Sequence, residues 1–102
     1  MTIAATLFDL NRVFTDADGA PLAGGKLYFY AAGTSTPKDT FTDSALTPGQ
    51  ENPNPIILNA SGFADDPIYG SAAGYKVDLT DADDVAVAGW PRDNWGIAAP
   101  TF

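Results

Sequence analysis

The chain has 102 residues, of which 45% are hydrophobic and 18% charged, so it carries enough apolar surface to fold as one domain rather than stay disordered. Thirteen acidic residues against five basic ones give a net charge of −8, which disfavours a polyanion such as nucleic acid as a partner. Cysteine and histidine are both absent, which excludes disulfides, thiolate metal sites and histidine-based catalysis.

The first third of the chain predicts two strands. The segments between turn residues are short and rich in aromatic and β-branched side chains, which is typical of strands rather than helices. Residues 6–16 are predicted as a first strand and residues 26–31 as a second. Because the Asp-Gly pair at 18–19 and the Gly-Gly pair at 24–25 favour a turn, we expect these two strands to form a hairpin.

The middle of the chain is rich in threonine, proline and asparagine. Residues 36–42 are predicted as an edge strand, because Pro37 has no amide hydrogen to give to a neighbouring strand. The expected elements that follow are a loop at residues 46–55, a brief strand at residues 56–58, a turn at Ser61-Gly62 and a short extended piece at residues 68–69.

The clearest alternation lies at residues 75–80. Apolar and polar side chains alternate there, which predicts a strand with one buried and one solvated face. The predicted buried set is Tyr75, Val77 and Leu79, and the predicted solvated set is Lys76, Asp78 and Thr80. A turn at residues 81–84 is expected to lead into an antiparallel return at residues 85–90 and then an irregular tail.

These elements together predict an all-β fold without substantial helix. We expect about six to eight short strands arranged as a small antiparallel β-sandwich or two-sheet domain. The domain is expected to span residues 1–95 and to be followed by an apolar tail at residues 96–102. Since the longest apolar runs are far shorter than the roughly 20 residues that a transmembrane helix needs, no membrane partner is expected.

The acidic residues are the main candidates for chemistry. The pairs Asp65-Asp66 and Asp83-Asp84 stand in turn-like sequences, where aspartate is favoured because its side chain bonds the local backbone. The sequence "DADD" at residues 81–84 begins like a calcium loop but lacks the glycine and the glutamate that such a loop requires. We interpret these carboxylates as turn residues, and we expect no catalytic residue, no dedicated metal site and no cofactor. An incidental cation that bridges two acidic turns stays open as an alternative.

The aromatic side chains give the strongest indication of a binding surface. Tyr28 and Tyr30 fall on one face of the second strand, and Leu27 and Phe29 fall on the other. The alternation shows that the two sets differ but not which of them is inside. Large rings with a polar group are favoured where proteins meet. The predicted interface residues are Tyr28, Tyr30, Trp90, Trp95 and Phe102.

An ordered set of short motifs carries a resemblance to a known family. The set is "GGKLYFY" at 24–30, "AGT" at 32–34, "TP" at 36–37, "FTD" at 41–43, "NPI" at 54–56, "SG" at 61–62 and "YKV" at 75–77. In this order the chain resembles the N-terminal virion-anchoring (head-binding) domain of bacteriophage tailspikes and tail fibres.

The resemblance implies a structural role without catalysis. It implies a homotrimer that is made in the cytoplasm of the bacterial host, docks on the phage tail or its adaptor in the virion, and holds a fibre or tailspike outward. It also implies that Leu27 and Phe29 fill the core while Tyr28 and Tyr30 meet a second sheet, a trimer mate or the tail. A further hypothesis is that the apolar segment at residues 96–102 packs on a neighbouring subunit.

Two alternative functions stay open at this point. The stretch "DADGAPLAGGKLYFY" also resembles the hairpin of repeated extracellular domains, so the chain is alternatively a sandwich module of a bacterial surface adhesin. The second alternative is an enzyme that degrades host polysaccharide through its paired carboxylates. An adhesin module is expected to be monomeric in dilute solution, whereas the polysaccharide-degrading enzyme would release new reducing ends from bacterial glycan.

Overall fold

The computed structural model of the protein describes residues 4–8, 13–16, 18–43, 45–71 and 74–95. Within these residues the chain forms strands and no helix, which confirms the all-β prediction, and it therefore contains no helix long and apolar enough to cross a membrane. The strands are β1 (Ala4–Phe8), β2 (Lys26–Ala31), β3 (Ile56–Ile57), β4 (Ile68–Ser71), β5 (Tyr75–Thr80) and β6 (Arg92–Trp95).

The strands form two antiparallel sheets. One sheet has four strands in the order β3-β2-β5-β6, and the other pairs β1 with β4. The longest ladder joins β2 to β5 and places Leu27 opposite Leu79 and Phe29 opposite Val77. Residues directly opposite each other across a ladder have their side chains on the same face of the sheet, so these four apolar side chains meet on one side.

The hydrophobic core lies on that side of the four-stranded sheet. Leu27, Phe29 and Val77 are fully buried, and Leu79 and Tyr75 are only 1% exposed. The rings of Phe29 and Tyr75 meet edge to face with centroids 6.1 Å apart, an arrangement that aromatic pairs favour. The predicted burial of Tyr75, Val77 and Leu79 is thereby confirmed, and Leu27 and Phe29 are the inward set of β2.

The predicted hairpin of the first two strands is wrong. β1 pairs with β4, with Thr6 opposite Tyr69, and does not pair with β2. The turn signal at Asp18-Gly19 closes only a local turn, in which Thr15 bridges Pro21 and Asp16 accepts backbone hydrogen bonds. A turn signal specifies the chain reversal beside it but not the long-range partner of the strand before it.

The predicted return strand is displaced along the chain. Residues 85–90 form an isolated bridge between Ala86 and Thr80, whereas the strand that pairs with β5 on this side is β6, which begins at Arg92, after the predicted return. Thr80 was predicted on the solvated face but is only 6% exposed. The chain returns beside it and forms an antiparallel bridge between Ala86 and Thr80. The predicted edge strand at residues 36–42 forms isolated bridges at Pro37 and Phe41 instead of a strand.

Asn54 closes the edge of β2 where the short β3 does not reach. Its amide nitrogen donates to the carbonyl oxygen of Phe29 at 2.8 Å, and its amide oxygen accepts from the Phe29 N–H at 3.0 Å. The side-chain amide therefore replaces one peptide unit of a neighbouring strand.

A close contact between the two sheets generates a stability prediction. A Cβ added at Gly70 of β4 would lie 2.7 Å from Cζ and from the hydroxyl oxygen of Tyr75, and closer still to Cε1. Such overpacking costs about 1–3 kcal/mol. Gly70→Ala is therefore expected to lower the free energy of unfolding by about that amount, measured by urea denaturation.

A double-mutant cycle separates this clash from other effects of the substitution. Because Tyr75→Leu removes the ring that the new methyl group would meet, Gly70→Ala is expected to cost less in that background. An equal cost in both backgrounds would show that the ring contact does not limit this position.

Candidate interaction surface

The face of the four-stranded sheet that points away from the core carries aromatic and charged side chains. We call it the outer face and define it by Lys26, Tyr28 and Tyr30 of β2 together with Lys76 and Asp78 of β5. The ladder places Tyr28 opposite Asp78 and Tyr30 opposite Lys76. All five side chains are partly buried, in contrast to the fully buried set on the core side.

A carboxylate from the turn after β5 fixes one end of the outer face. The Tyr28 hydroxyl donates to Oδ1 of Asp84 at 2.6 Å, and Nζ of Lys26 donates to Oδ2 at 3.0 Å. One carboxylate thus binds a phenol and an ammonium group with separate oxygens. Charge-assisted hydrogen bonds of this kind are shorter and stronger than neutral ones, so they hold the Tyr28 ring in one orientation.

The "DADD" turn places Asp84 over this face. Oδ1 of Asp81 accepts the backbone N–H groups of Asp83 and Val85 at 2.8 and 3.0 Å. Asp84 adopts a left-handed backbone with φ of 63°, a conformation that aspartate tolerates better than most residues. The predicted turn at 81–84 forms, and the carboxylate that bonds its backbone is that of Asp81. Asp84 of the predicted turn pair binds Lys26 and Tyr28 instead of the local backbone.

The contact changes the acidity of both partners. The hydrogen bond to Asp84, with smaller contributions from desolvation and neighbouring negative charge, raises the pKa of Tyr28 to about 12. The hydrogen bonds from Tyr28 and Lys26 hold the pKa of Asp84 below its ordinary value of 3.8. Near neutral pH the pair is therefore a neutral phenol and a full carboxylate, the states that the hydrogen bond requires.

The tyrosine rings extend the surface along β2. The rings of Tyr28 and Tyr30 are nearly parallel, with an interplanar angle of 7° and centroids 6.5 Å apart. Nζ of Lys76 lies 5.6 Å from the Tyr30 ring centroid, within the range of a cation–π contact. The two tyrosine rings, with Lys26 and Lys76 beside them, form a continuous patch of apolar surface that is flanked by polar groups.

Asp78 adds negative charge beside the patch. Its Oδ1 atom is buried and accepts no hydrogen bond from the part of the chain that the structure describes. Its charge contributes to the raised pKa of Tyr28.

The structure distributes the predicted interface residues unevenly. It brings Tyr28 and Tyr30 together on the outer face. Trp90 packs partly buried against the core, 6.2 Å from the ring of Phe14, and the guanidinium carbon of Arg92 lies 4.4 Å from its centroid. These contacts give Trp90 a role in the packing of the domain itself.

The side chains of the other two predicted interface residues, Trp95 and Phe102, lie outside the described part of the chain. The backbone of Trp95 pairs with Tyr75 at the end of β6, and its side chain lies outside the described residues. Phe102 and the predicted tail at 96–102 also lie outside them.

Sequence reasoning missed three members of the site. Lys76 was assigned only to a solvated strand face, Asp84 was assigned only to its turn, and Lys26 was not among the predicted interface residues. The alternation of β2 puts Lys26 on the same face as Tyr28 and Tyr30, so its position was available from the sequence. The position of Lys76 beside Tyr30 depends on the pairing of β2 with β5, which was not predicted. The contact between Tyr28 and Asp84 was not available from the sequence either, because 56 residues separate them.

The other acidic candidates also have structural partners. Asp65 accepts a hydrogen bond from the Asn59 amide at 3.0 Å, and Asp16 accepts the backbone N–H groups of Asp18 and Ala20. Among the described residues, no three acidic, histidine or cysteine side chains lie close enough together to hold a metal ion.

No family model matches the chain, and the comparison with curated proteins finds no match either.

The contact between Tyr28 and Asp84 predicts a linked titration. The Asp84 carboxyl is expected to titrate below 3.8 in carbon NMR, and Tyr28→Phe is expected to raise its midpoint because the hydrogen bond that lowers this pKa most is lost. Tyr30→Phe is the matched control, since it removes a neighbouring hydroxyl on the same strand. An unchanged Asp84 midpoint in Tyr28→Phe would contradict the proposed cause of the shift.

The same contact predicts a pH dependence of stability. The folded-state pKa of Asp84 is lower than its unfolded-state value, so its stabilisation is complete above the unfolded-state pKa and is lost as pH falls through the folded-state pKa. Tyr28→Phe is therefore expected to destabilise the protein more at neutral pH than in strong acid, as measured by urea denaturation at both pH values.

Proposed function

We propose that this chain is a virion-anchoring domain of a bacteriophage tailspike or tail fibre. It docks on the phage tail and holds the receptor-binding part outward, and it works through binding rather than catalysis. The ordered motifs from "GGKLYFY" to "YKV" support the phage assignment. The observation that supports docking is the parallel Tyr28–Tyr30 pair on the sheet face opposite the core, where Tyr28 is hydrogen-bonded to the carboxylate of Asp84.

The outer face has the composition of an interface. The core side of the same sheet is already complete, so the tyrosines are not needed to bury it. Tyrosine is enriched at protein interfaces because it offers a large rigid ring and a polar group. The salt bridge and the Lys76 contact pre-order the rings, which lowers the entropy cost of binding a partner.

Several motif residues of the resemblance have structural roles in this chain. Asn54 pairs with the backbone of Phe29, and a Cβ at Gly62 would lie 2.7 Å from the Phe14 carbonyl oxygen. Gly25 likewise lies against the side chain of Leu22. Because these motif residues determine local backbone packing, they support a resemblance to the fold of the virion-anchoring domain as a whole.

The proposal includes the finer architecture and the assembly. The two sheets would pack as a small β-sandwich, which the approach of Gly70 to the Tyr75 ring supports. Three copies would assemble with their outer faces against a trimer mate or the tail, since closed symmetric assemblies repeat one contact. The partners would be other copies of the chain, the tail adaptor or nozzle, and the fibre. The protein would be made in the host cytoplasm and reside in the virion.

The oligomeric state provides the first test. Sedimentation equilibrium of the wild-type protein is expected to give the mass of three protomers, and the Tyr28→Ala/Tyr30→Ala double variant is expected to shift toward a single protomer. Val13→Ala is the control. Val13 is an apolar residue that is 48% exposed, and it is distant from the two tyrosines in the sequence. Circular dichroism would verify that both variants keep the β fold.

A second measurement tests docking itself. Cross-linking of purified particles followed by mass spectrometry is expected to join the chain to a tail protein through Lys26 or Lys76, the amines that frame the tyrosine pair. A wild-type protein that stays monomeric and forms no link to a tail component would favour the adhesin alternative.

A further inference from the structure

A groove lies apart from the tyrosine pair, between two aspartate-containing turns. It has a volume of about 410 Å³ and lies between the turn at 16–20 and the segment 81–88. Its apolar lining includes Leu22, Val85 and Val87, of which Val85 is 60% exposed. A large aliphatic side chain at this exposure offers surface that a ligand would remove from water.

Three carboxylates line the same groove. Asp16 and Asp18 belong to the first turn and Asp81 to the second, and no lysine or arginine is among the lining residues. Lys26 forms a salt bridge with Asp84 of the second turn and is not a lining residue of the groove. The groove therefore combines aliphatic surface with negative charge that the lining itself does not neutralise.

The turns hold two of these carboxylates in place. Oδ1 of Asp16 accepts the N–H groups of Asp18 and Ala20, and Oδ1 of Asp81 accepts those of Asp83 and Val85. In both turns these hydrogen bonds use one carboxylate oxygen, and the second oxygen accepts no hydrogen bond from the described residues. Among the described residues, no three acidic side chains lie close enough together to hold a metal ion.

We infer that this groove binds an extended segment of a partner protein that alternates basic and aliphatic residues. The aliphatic side chains and the methylene stems of lysine or arginine would lie on Leu22, Val85 and Val87, and the cationic ends would meet the carboxylates. Ligand pockets span about 300–1,000 Å³, and the groove falls within that range. Only the identity of the partner as a tail protein depends on the proposed function.

The test uses two capped hexapeptides, one alternating arginine with valine and one alternating glutamate with valine. Amide NMR of the wild-type protein is expected to show shifts at residues 18, 22, 81 and 85–88 with the arginine peptide and none with the glutamate peptide. The affinity is expected to fall as ionic strength rises, because salt screens exposed charges.

Matched variants assign the binding to the groove. Asp16→Asn and Asp81→Asn keep an amide oxygen for the turn hydrogen bonds while removing charge, and together they are expected to weaken binding about fivefold or more. Val85→Asn is expected to weaken it through lost apolar contact. Asp83→Asn is the control, because it removes the same charge from the same turn at a side chain that does not line the groove.

Three results would overturn the inference. These are an absence of shifts at the groove residues, equal shifts with both peptides, and an affinity that the Asp16/Asp81 pair of substitutions leaves unchanged. The readout concerns the isolated chain and different residues from the tyrosine test. The groove inference and the docking proposal can therefore fail independently.

Discussion

The antiparallel register between β2 and β5 determines which side chains form the core and which form the outer face. Phe29 lies opposite Val77 and Tyr28 lies opposite Asp78, so one ladder places an apolar pair inside and a polar pair outside. A slip of one residue would exchange the two faces and expose the largest buried side chains. The edge of this ladder is completed by the Asn54 amide, which supplies to Phe29 the hydrogen bonds that a longer β3 would give.

Several of the many aspartates stabilise turns by accepting hydrogen bonds from the backbone. In the turns at Asp16 and Asp81, one carboxylate oxygen binds two backbone N–H groups that would otherwise depend on water. Part of the net charge of −8 is therefore structural. Asp84 differs from these residues, because its carboxylate binds Tyr28 and Lys26 on the sheet instead of its own turn.

The sequence was sufficient to predict features that depend on local periodicity. β2 was predicted with its observed bounds, and the burial of Tyr75, Val77 and Leu79 followed from alternation. The pairing of β1 with β4 was not predictable, because the choice of partner depends on packing across some 60 residues of sequence and no turn signal encodes it. The long-range contact between Tyr28 and Asp84 was hidden for the same reason.

The turn at 81–85 connects the two candidate binding surfaces. Asp84 reaches the outer face, while Asp81 and Val85 line the groove, so four peptide bonds separate the most distant of these groups. The Asp81 hydrogen bonds to Asp83 and Val85 fix the turn as one unit. A groove ligand that moved Asp81 would disturb the backbone that holds Asp84 over Tyr28, and by the same linkage a partner bound on the tyrosines would oppose that movement. Two surfaces that share one rigid turn are therefore expected to be coupled in binding, with the same free energy in both directions.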